Sequence, residues 1–391
     1  MTVNIAMIEP VGGHGGMDYY DFGLCNGISS ANANVVLYTS DKTSDYPNAK
    51  FLIKKWYVGI YGATPKTLRG ILFLLCTLRI FFDILRRRIS IVHFHFFDVG
   101  FLQLILLVLA KTLRKQVIVT VHDVEGFVEG KGSLILAKIA YRLPNHIIVH
   151  NDFTKNELMS LVKRRERSVH VIAHGNYEHI YSRTVDKFSA RDDLGLPHNS
   201  KIILFFGQIK NVKRLDLLLE AFAKVVMSTP NVLLVVAGKV VDVPFAVYEE
   251  KIQRLKIEKN LVLKIRYIEN YEVPNFYSSA DLVVLPYERI YQSGVLLMAM
   301  TFRRAVVVSD IPGMLDIVKS NQTGYVFKSG SVESLSQVLL KALSEEEERK
   351  LIAVNGSEYV KKEHSWESIG RATLHVYMSL SKNRVVDPRF T

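Results

Sequence analysis

Phe205-Phe206-Gly207-Gln208-Ile209-Lys210-Asn211-Val212-Lys213-Arg214-Leu215-Asp216 passes from an apolar run, through a glycine turn carrying two spaced lysines, into an amphipathic segment. The run Lys201 to Phe206 reads as a strand, and Leu215, Leu218, Leu219, Phe222, Val225 and Val226 recur at helical spacing. The turn therefore lies where the carboxyl end of a strand meets the amino end of a helix. Such a junction offers free N–H groups and the positive end of a helix dipole to an anion. Gly207 lets the backbone approach closely, and Lys210 and Lys213 add full charges. The stretch reads as a phosphate site; taken alone, the other reading is a solvated lysine pair on a surface turn.

Outward from this point, short apolar runs alternate with helical patterns in both directions. Candidate strands before it are Val3 to Ile8, Val35 to Tyr38, Ile91 to His95, Val117 to Val121, His146 to His150 and Val169 to Ala173. From it onward they are Lys201 to Phe206, Asn231 to Ala237, Leu261 to Ile265, Leu282 to Leu285, Ala305 to Ser309 and Gly324 to Phe327. This alternation implies parallel sheets of right-handed βαβ units, twice over. The 391 residues exceed one ordinary core, which agrees with two domains. The expected fold is α/β, with two Rossmann-like doubly wound domains facing across a cleft. Their expected limits are 1–183 and 199–365, the polar stretch Ser182 to Ser200 forming the linker.

Other turns compatible with chemistry fall at strand ends. Gly12-Gly13-His14-Gly15-Gly16 follows the first strand and permits close backbone approach, but it does not fit the dinucleotide pattern G-x-G-x-x-G. His122-Asp123 follows the Val117 to Val121 strand, with Gly126 beyond; the histidine is placed either to orient a substrate group or to cap a loop. Gln292-Ser293-Gly294 opens a helix after Leu285-Pro286-Tyr287, with Ser293 as a cap and Gly294 leaving its amides open to phosphate. Ser309-Asp310-Ile311-Pro312-Gly313-Met314 repeats the arrangement, with Asp316 in the first turn. Three such turns in one half argue for a diphosphate ligand more strongly than any one does.

Composition narrows the class. With 49% apolar and 23% charged residues the chain is globular. Cys25 and Cys76 alone form neither a disulfide framework nor a zinc pattern, and the amino end lacks the basic region of a signal peptide, so a cytoplasmic setting is expected. The net charge of +12 is uneven: Lys42 to Lys115 holds 13 Lys or Arg against Asp45, Asp83 and Asp98, a surplus of 10. The same window carries apolar runs, Ile71 to Leu75, Ile80 to Phe82 beside Arg86-Arg87-Arg88, and Phe101 to Ala110. None matches the roughly 20 residues of a membrane span. Such helices either lie on an anionic membrane surface or flank a sheet with basic ends in water. A nucleic-acid partner is not expected, because no recognisable binding module accompanies the charge.

Together these residues resemble a family. Gly12-Gly13-His14-Gly15-Gly16 with the Asp-Tyr-Tyr-Asp-Phe segment after it, Val121-His122-Asp123, Phe206-Gly207-Gln208 through Lys213, Ala280-Asp281 to Pro286, and Ser309-Asp310 to Thr323-Gly324 are similar to a family-4 retaining glycosyltransferase of the GT-B fold. The likeness covers nearly the whole chain. It implies a sugar nucleotide held mainly by the second domain, through Gly207, Gln208, Lys210, Lys213, Gln292, Ser293 and Gly294, with Gly15 and Gly16 against the diphosphate. The acceptor, a glycan or polyprenyl-linked sugar, is then bound by the first domain, with His14 and Asp123 on its side. It also implies that the last helix, about 366–382, packs back on the first domain.

Departures from the family pattern refine this expectation. Ile290 and Met298 stand where a pair of glutamates eight positions apart is common, and Gln208 stands where an arginine is common. The chain resembles a subset with Gln-Ser-Gly in place of the glutamates and a basic residue, here Lys210, three past the loop glycine. The resemblance favours front-face attack, in which the departing phosphate oxygen takes the acceptor proton while His122 orients the reacting groups. Lys210 and Lys213 stabilise the leaving phosphate, so no metal is required and no cofactor is expected. A sugar-nucleotide epimerase or phosphorylase of the same fold, or a non-catalytic sugar-nucleotide-binding subunit, is the competing reading. The expected location is cytoplasmic, peripheral on the inner face of the plasma membrane through the basic first domain.

Overall fold

The fold was described from a computed structural model covering residues 2–13, 16–62, 64–97, 99–124, 134–181 and 185–382. It divides into two units, residues 1–175 with 364–391, and residues 176–363. The first unit contains β1 (Asn4–Glu9), α1 (Met17–Ser30), β2 (Asn34–Ser40), β3 (Leu52–Tyr57), α2 (Lys66–Arg86), β4 (Ile91–Phe96), α3 (Phe101–Thr112), β5 (Gln116–Val121), α4 (Leu134–Ala140), β6 (His146–Val149), α5 (Asp152–Leu161) and β7 (Val169–Val171). The second contains α6 (Lys187–Leu194), β8 (Lys201–Phe206), α7 (Leu215–Ser228), β9 (Val232–Ala237), α8 (Ala246–Leu255), β10 (Leu261–Lys264), α9 (Val273–Ser279), β11 (Leu282–Leu285), α10 (Gly294–Thr301), β12 (Ala305–Ser309), α11 (Pro312–Leu315), β13 (Tyr325–Phe327), α12 (Val332–Ser344) and α13 (Glu346–Glu363). The last helix, α14 (Trp366–Lys382), returns to the first unit.

Each unit is one parallel sheet, in the order β3-β2-β1-β4-β5-β6-β7 and β10-β9-β8-β11-β12-β13. Both orders reverse direction after the first strand of the unit, so β1 and β4, and likewise β8 and β11, diverge at a switch point of the Rossmann kind. Central strands such as Ile-Val-His-Phe-His-Phe in β4 and Leu-Val-Val-Leu in β11 are buried along their whole length, as helices on both faces require. Twelve of the strands lie within two residues of the expected positions.

The strand that sequence did not foretell is β3. It reads Leu-Ile-Lys-Lys-Trp-Tyr, because an edge strand tolerates lysines that would be excluded from the middle of a sheet. Lys54 is nonetheless partly buried, donating to Asp83 on α2 at 2.6 Å. Asp83 also accepts from the Tyr38 hydroxyl at 2.7 Å and from Arg87 Nε at 2.8 Å. Burial works against its charge, but these three donors hold its carboxyl down at about 2.

The stretch expected to be a linker carries α6, which is part of the second unit. Arg191 is buried there, donating to Asp281 at 2.9 Å and to the carbonyls of Ser279 and His198. Lys187 reaches the same carboxylate. Two of its basic residues, Lys187 and Arg191, are thus partners for one largely buried acid.

The helix α14 packs along α1. Gly27 and Gly370 meet backbone to backbone: a Cβ on Gly27 would lie 2.0 Å from Trp366 O, and one on Gly370 would lie 2.1 Å from Gly27 C. The Trp366 ring fills the space above Gly23 and Gly175, where a Cβ would lie 2.1 and 2.2 Å from its Cε2.

Candidate functional site

In the second unit the phosphate turn has the geometry its sequence suggests. Gly207 leaves β8 with φ of +97°, a conformation disfavoured for side chains, and its N–H donates to Ala237 O at 2.9 Å. A Cβ there would lie 3.1 Å from Val295 Cγ2 and 3.3 Å from Lys213 Nζ, so glycine also makes room for the lysine. Asn211 to Lys213 form a single 3-10 turn, and α7 begins at Leu215 with no side chain capping it. Its first amides are left to water or a ligand.

Lys213 lies over the ring of Tyr287, with Nζ 5.1 Å from the centroid. Burial, then the neighbouring charge of Lys210, brings its ammonium down to about 7. Both lysines are half-buried, whereas Gln208 is exposed. Arg214, the next basic residue, is occupied by Asp216, to which it donates twice at 3.0 Å, and by Glu288 at 3.4 Å. Among the described residues, no carboxylate pairs with Lys210 or Lys213.

The second anion turn is also formed. Ser293 caps α10 by accepting from Leu296 N–H at 3.2 Å, and Gln292 is half-buried beside it. A side chain on Gly294 would strike the Tyr177 hydroxyl, 2.6 Å from its Cβ position, so this glycine serves packing as well as access. The strand before it is tied to the next by Ser309 Oγ donating to Tyr287 O at 2.5 Å. The third turn differs from expectation. Its helix α11 is four residues long and ends before Asp316, and Asp310 Oδ1 accepts from Ser329 N–H at 2.7 Å. A one-turn helix supplies little dipole, which leaves two anion turns of the expected kind.

In the first unit, Gly12 has φ of +66°, and a Cβ there would lie 2.2 Å from Ser40 Oγ. The buried Glu9 carboxylate accepts from Val11 N–H at 2.9 Å and Gly12 N–H at 2.7 Å, fixing the turn's entry. Gly16 caps α1 in the left-handed region. His14, Gly15 and Gly126 lie outside the described residues.

His122 sits at the end of β5 as expected, yet it is part of a larger group. Its Nδ1 lies 3.2 Å from His150 Nε2, and its ring stacks on Phe97 at 4.5 Å. The Tyr20 ring, from α1, touches His95, His122, His150 and His174 at centroid distances of 4.8 to 5.6 Å. His95 Nδ1 is 2.9 Å from the buried Asp21 carboxylate. Burial pushes His122 well below its ordinary range, His95 to about 3 and His150 to about 4. At neutral pH these rings are uncharged, so His122 can orient a group but holds no spare proton to give. Asp123, half-buried, follows it. The signal for the missed members was in the sequence: His95, His122, His150 and His174 each stand at or just past the end of a successive strand, and a parallel sheet sets such residues side by side.

Comparison with known proteins follows this division. Residues 14–175 match the family described as Glycosyltransferase Family 4, and residues 186–359 match Glycosyl transferases group 1. An uncharacterized glycosyltransferase of Methanocaldococcus jannaschii is 26% identical over 236 residues, 59% of each chain. The lipopolysaccharide core biosynthesis mannosyltransferase LpsB of Rhizobium meliloti is 24% identical over 216 residues, 54% of this chain and 61% of that one. The chain thus spans about three fifths of the length of these relatives. Among solved structures, Anabaena HepE in complex with UDP-glucose superposes with a TM-score of 0.74 over 97% of this chain and 99% of that one, at 15% identity. With two parallel Rossmann-like units, each matched by its own half of the family, the chain belongs to the family-4, group 1 glycosyltransferases of the GT-B fold.

Proposed function

We propose that this protein is a retaining glycosyltransferase moving a sugar from a nucleotide-sugar donor to a glycan or lipid-linked glycan, in surface polysaccharide or glycolipid assembly. The observation that carries the reading is the pair of lysines, Lys210 and Lys213, at the glycine turn that opens α7, neither paired with a carboxylate among the described residues. The UDP-glucose bound by HepE and the part of LpsB in lipopolysaccharide core biosynthesis support the ligand class and the process. Gly207, Gln208, Gln292, Ser293 and Gly294 complete the donor site in this reading, with Gly15 and Gly16 against the diphosphate; His14 and Asp123 serve the acceptor.

As the bond between the anomeric carbon and the diphosphate oxygen breaks, negative charge grows on that oxygen. Lys210, Lys213 and the first amides of α10 stabilise it, each donor contributing about 3 kcal/mol where charge develops. The same oxygen takes the proton from the acceptor hydroxyl as the new bond forms on the same face. Neutral His122 orients the reacting groups. The lysines supply the charge a divalent metal would, so this route asks for no metal or cofactor. Ile290 and Met298 stand in place of the glutamate pair, and the Gln292-Ser293-Gly294 subset is the proposed lineage.

Release of free nucleotide only when acceptor is present tests transfer; release without acceptor favours an epimerase-like reaction, and binding without turnover favours a non-catalytic subunit. The proposed place of action is the cytoplasmic face of an anionic membrane, reached through the basic first unit. No helix among the described residues is long and apolar enough to cross a membrane. Binding to anionic vesicles should weaken with added salt and with Arg86→Glu and Arg88→Glu; equal binding to neutral vesicles overturns it. Arg87 is left intact in that test because it donates to buried Asp83.

A further inference from the structure

Three hydrogen-bonding groups stand in line across the carboxyl ends of neighbouring strands. His122 follows β5, His150 follows β6 and Ile172 follows β7. His122 Nδ1 lies 3.2 Å from His150 Nε2, and His150 Nδ1 lies 3.0 Å from the Ile172 carbonyl oxygen. The sheet fixes both ends of the line. Ile172 N–H donates to Val149 O at 2.9 Å, and His122 N–H donates to Phe96 O at 2.9 Å. Both imidazoles are buried.

The partners dictate where the protons sit. A carbonyl oxygen accepts and never donates, so His150 Nδ1 carries a proton. Burial keeps both rings uncharged at neutral pH, and a neutral imidazole has one N–H and one lone pair. His150 Nε2 therefore accepts. The proton between the two rings then belongs to His122 Nδ1, which leaves His122 Nε2 as an acceptor nitrogen. An unconstrained histidine in water favours the opposite form, with the proton on Nε2, so the state of His122 is imposed by its partner.

Neighbouring rings hold the planes that this requires. Phe97 stacks on His122 with 14° between the planes, and the Tyr20 ring stands at 81° to His122 and 69° to His150. Turning the His122 ring over would set a carbon against His150 Nε2 and leave that buried nitrogen without its donor, which is costly.

We infer that His150 is a positioning residue for His122: it accepts the hydrogen bond of the His122 Nδ1 proton, and so presents His122 Nε2, in glycosyl transfer, as a lone pair that orients a sugar hydroxyl donating to it. A phosphate or carbonyl oxygen, which needs an N–H, is not its partner. This rests on the transfer reading above and adds the chemistry that His122 recognises and the residue that sets it.

Two measurements on the full chain test it. Long-range proton–nitrogen correlation spectra of histidine-labelled protein at neutral pH read the tautomer of each ring, with His122 identified by the signals missing in His122→Gln. The unsubstituted chain should show His122 protonated at Nδ1; protonation at Nε2 overturns the inference without any variant of His150. His150→Phe keeps a flat ring beside Tyr20 but offers no nitrogen, and should return His122 to the Nε2-protonated form. His150→Gln, whose amide oxygen can accept the same proton, should keep the Nδ1 form. A tautomer unmoved by His150→Phe overturns the role of His150.

Transfer is then followed from radiolabelled UDP- and GDP-sugars to a membrane lipid extract, or to the water-soluble sugars released from that extract by mild acid. His150→Phe should lower kcat/KM about tenfold or more with donor affinity held within about twofold, and His150→Gln should recover most of the loss. A loss in kcat assigns the hydroxyl to the transferred sugar; a loss confined to the KM for acceptor assigns it to the acceptor. Equal losses in donor affinity and turnover, with no recovery in His150→Gln, mark a packing defect and overturn the positioning role. An Nδ1-protonated His122 in a chain that turns over none of these donors overturns the transferase reading, and the sugar hydroxyl with it.

Discussion

Lys213 is held near neutrality before any ligand arrives, and a diphosphate reverses that. Anion binding favours the ammonium form, so donor binding should take up a proton and weaken as pH rises through 7, by up to tenfold per unit. Calorimetry at pH 6, 7 and 8 in buffers of different ionisation enthalpy reads both effects; flat affinity would remove Lys213 from the diphosphate. Lys213→Arg should abolish the pH dependence, because guanidinium stays charged. Lys213→Ala should lose about 1.5–3 kcal/mol of donor binding, and Lys210→Ala should act in the same direction. His122→Ala should instead cut turnover about 100-fold with little change in donor affinity, and near-normal kcat would reduce it to a loop cap. The loop's lysines were legible because glycine, spacing and periodicity are local. Their electrostatics were not, since Tyr287 reaches Lys213 from more than 70 positions away.

Elements were legible wherever an apolar run is buried on both faces, as in β8 and β12, whose observed limits equal the expected ones. Legibility failed where a tertiary partner rewrote the local pattern. Lys54 of β3 is explained by Asp83 on α2, and Lys187 and Arg191 of α6 by Asp281 on the turn before β11. The contact of α1 with α14 was expected only from resemblance, and its mechanism, glycine against glycine, is spread over residues far apart in sequence. Gly27→Ala should therefore cost more than the 1–3 kcal/mol usual for overpacking, because the atom it meets is backbone at 2.0 Å and cannot rotate away. Thermal unfolding of the variant checks this, with Ser30→Ala on the same helix as the control.

At the scale of the molecule, the two units differ in their response to acid. Ten of the 12 histidines are in the first unit; the second has His179 and His198. His93, His95, His122 and His150 all bind protons less readily folded than unfolded. Their stability is fully present above the ordinary value of 6.5 and is lost as pH falls below it, at roughly 1.4 kcal/mol per unit for each ring until its folded value is reached. Calorimetric scans from pH 7 to 4 should show one transition falling steeply while the other holds; parallel shifts would contradict the buried cluster. The discontinuity of the first unit has a different consequence, in time. A ribosome finishes residues 1–175 early, but the slot of Trp366 beside Gly23 and Gly175 stays empty until another 188 residues of the second unit have been added. At about 5–20 residues per second that interval is roughly 10–40 s. The unit made second is complete first, and the unit made first waits, with an unfilled seam along α1, for α14.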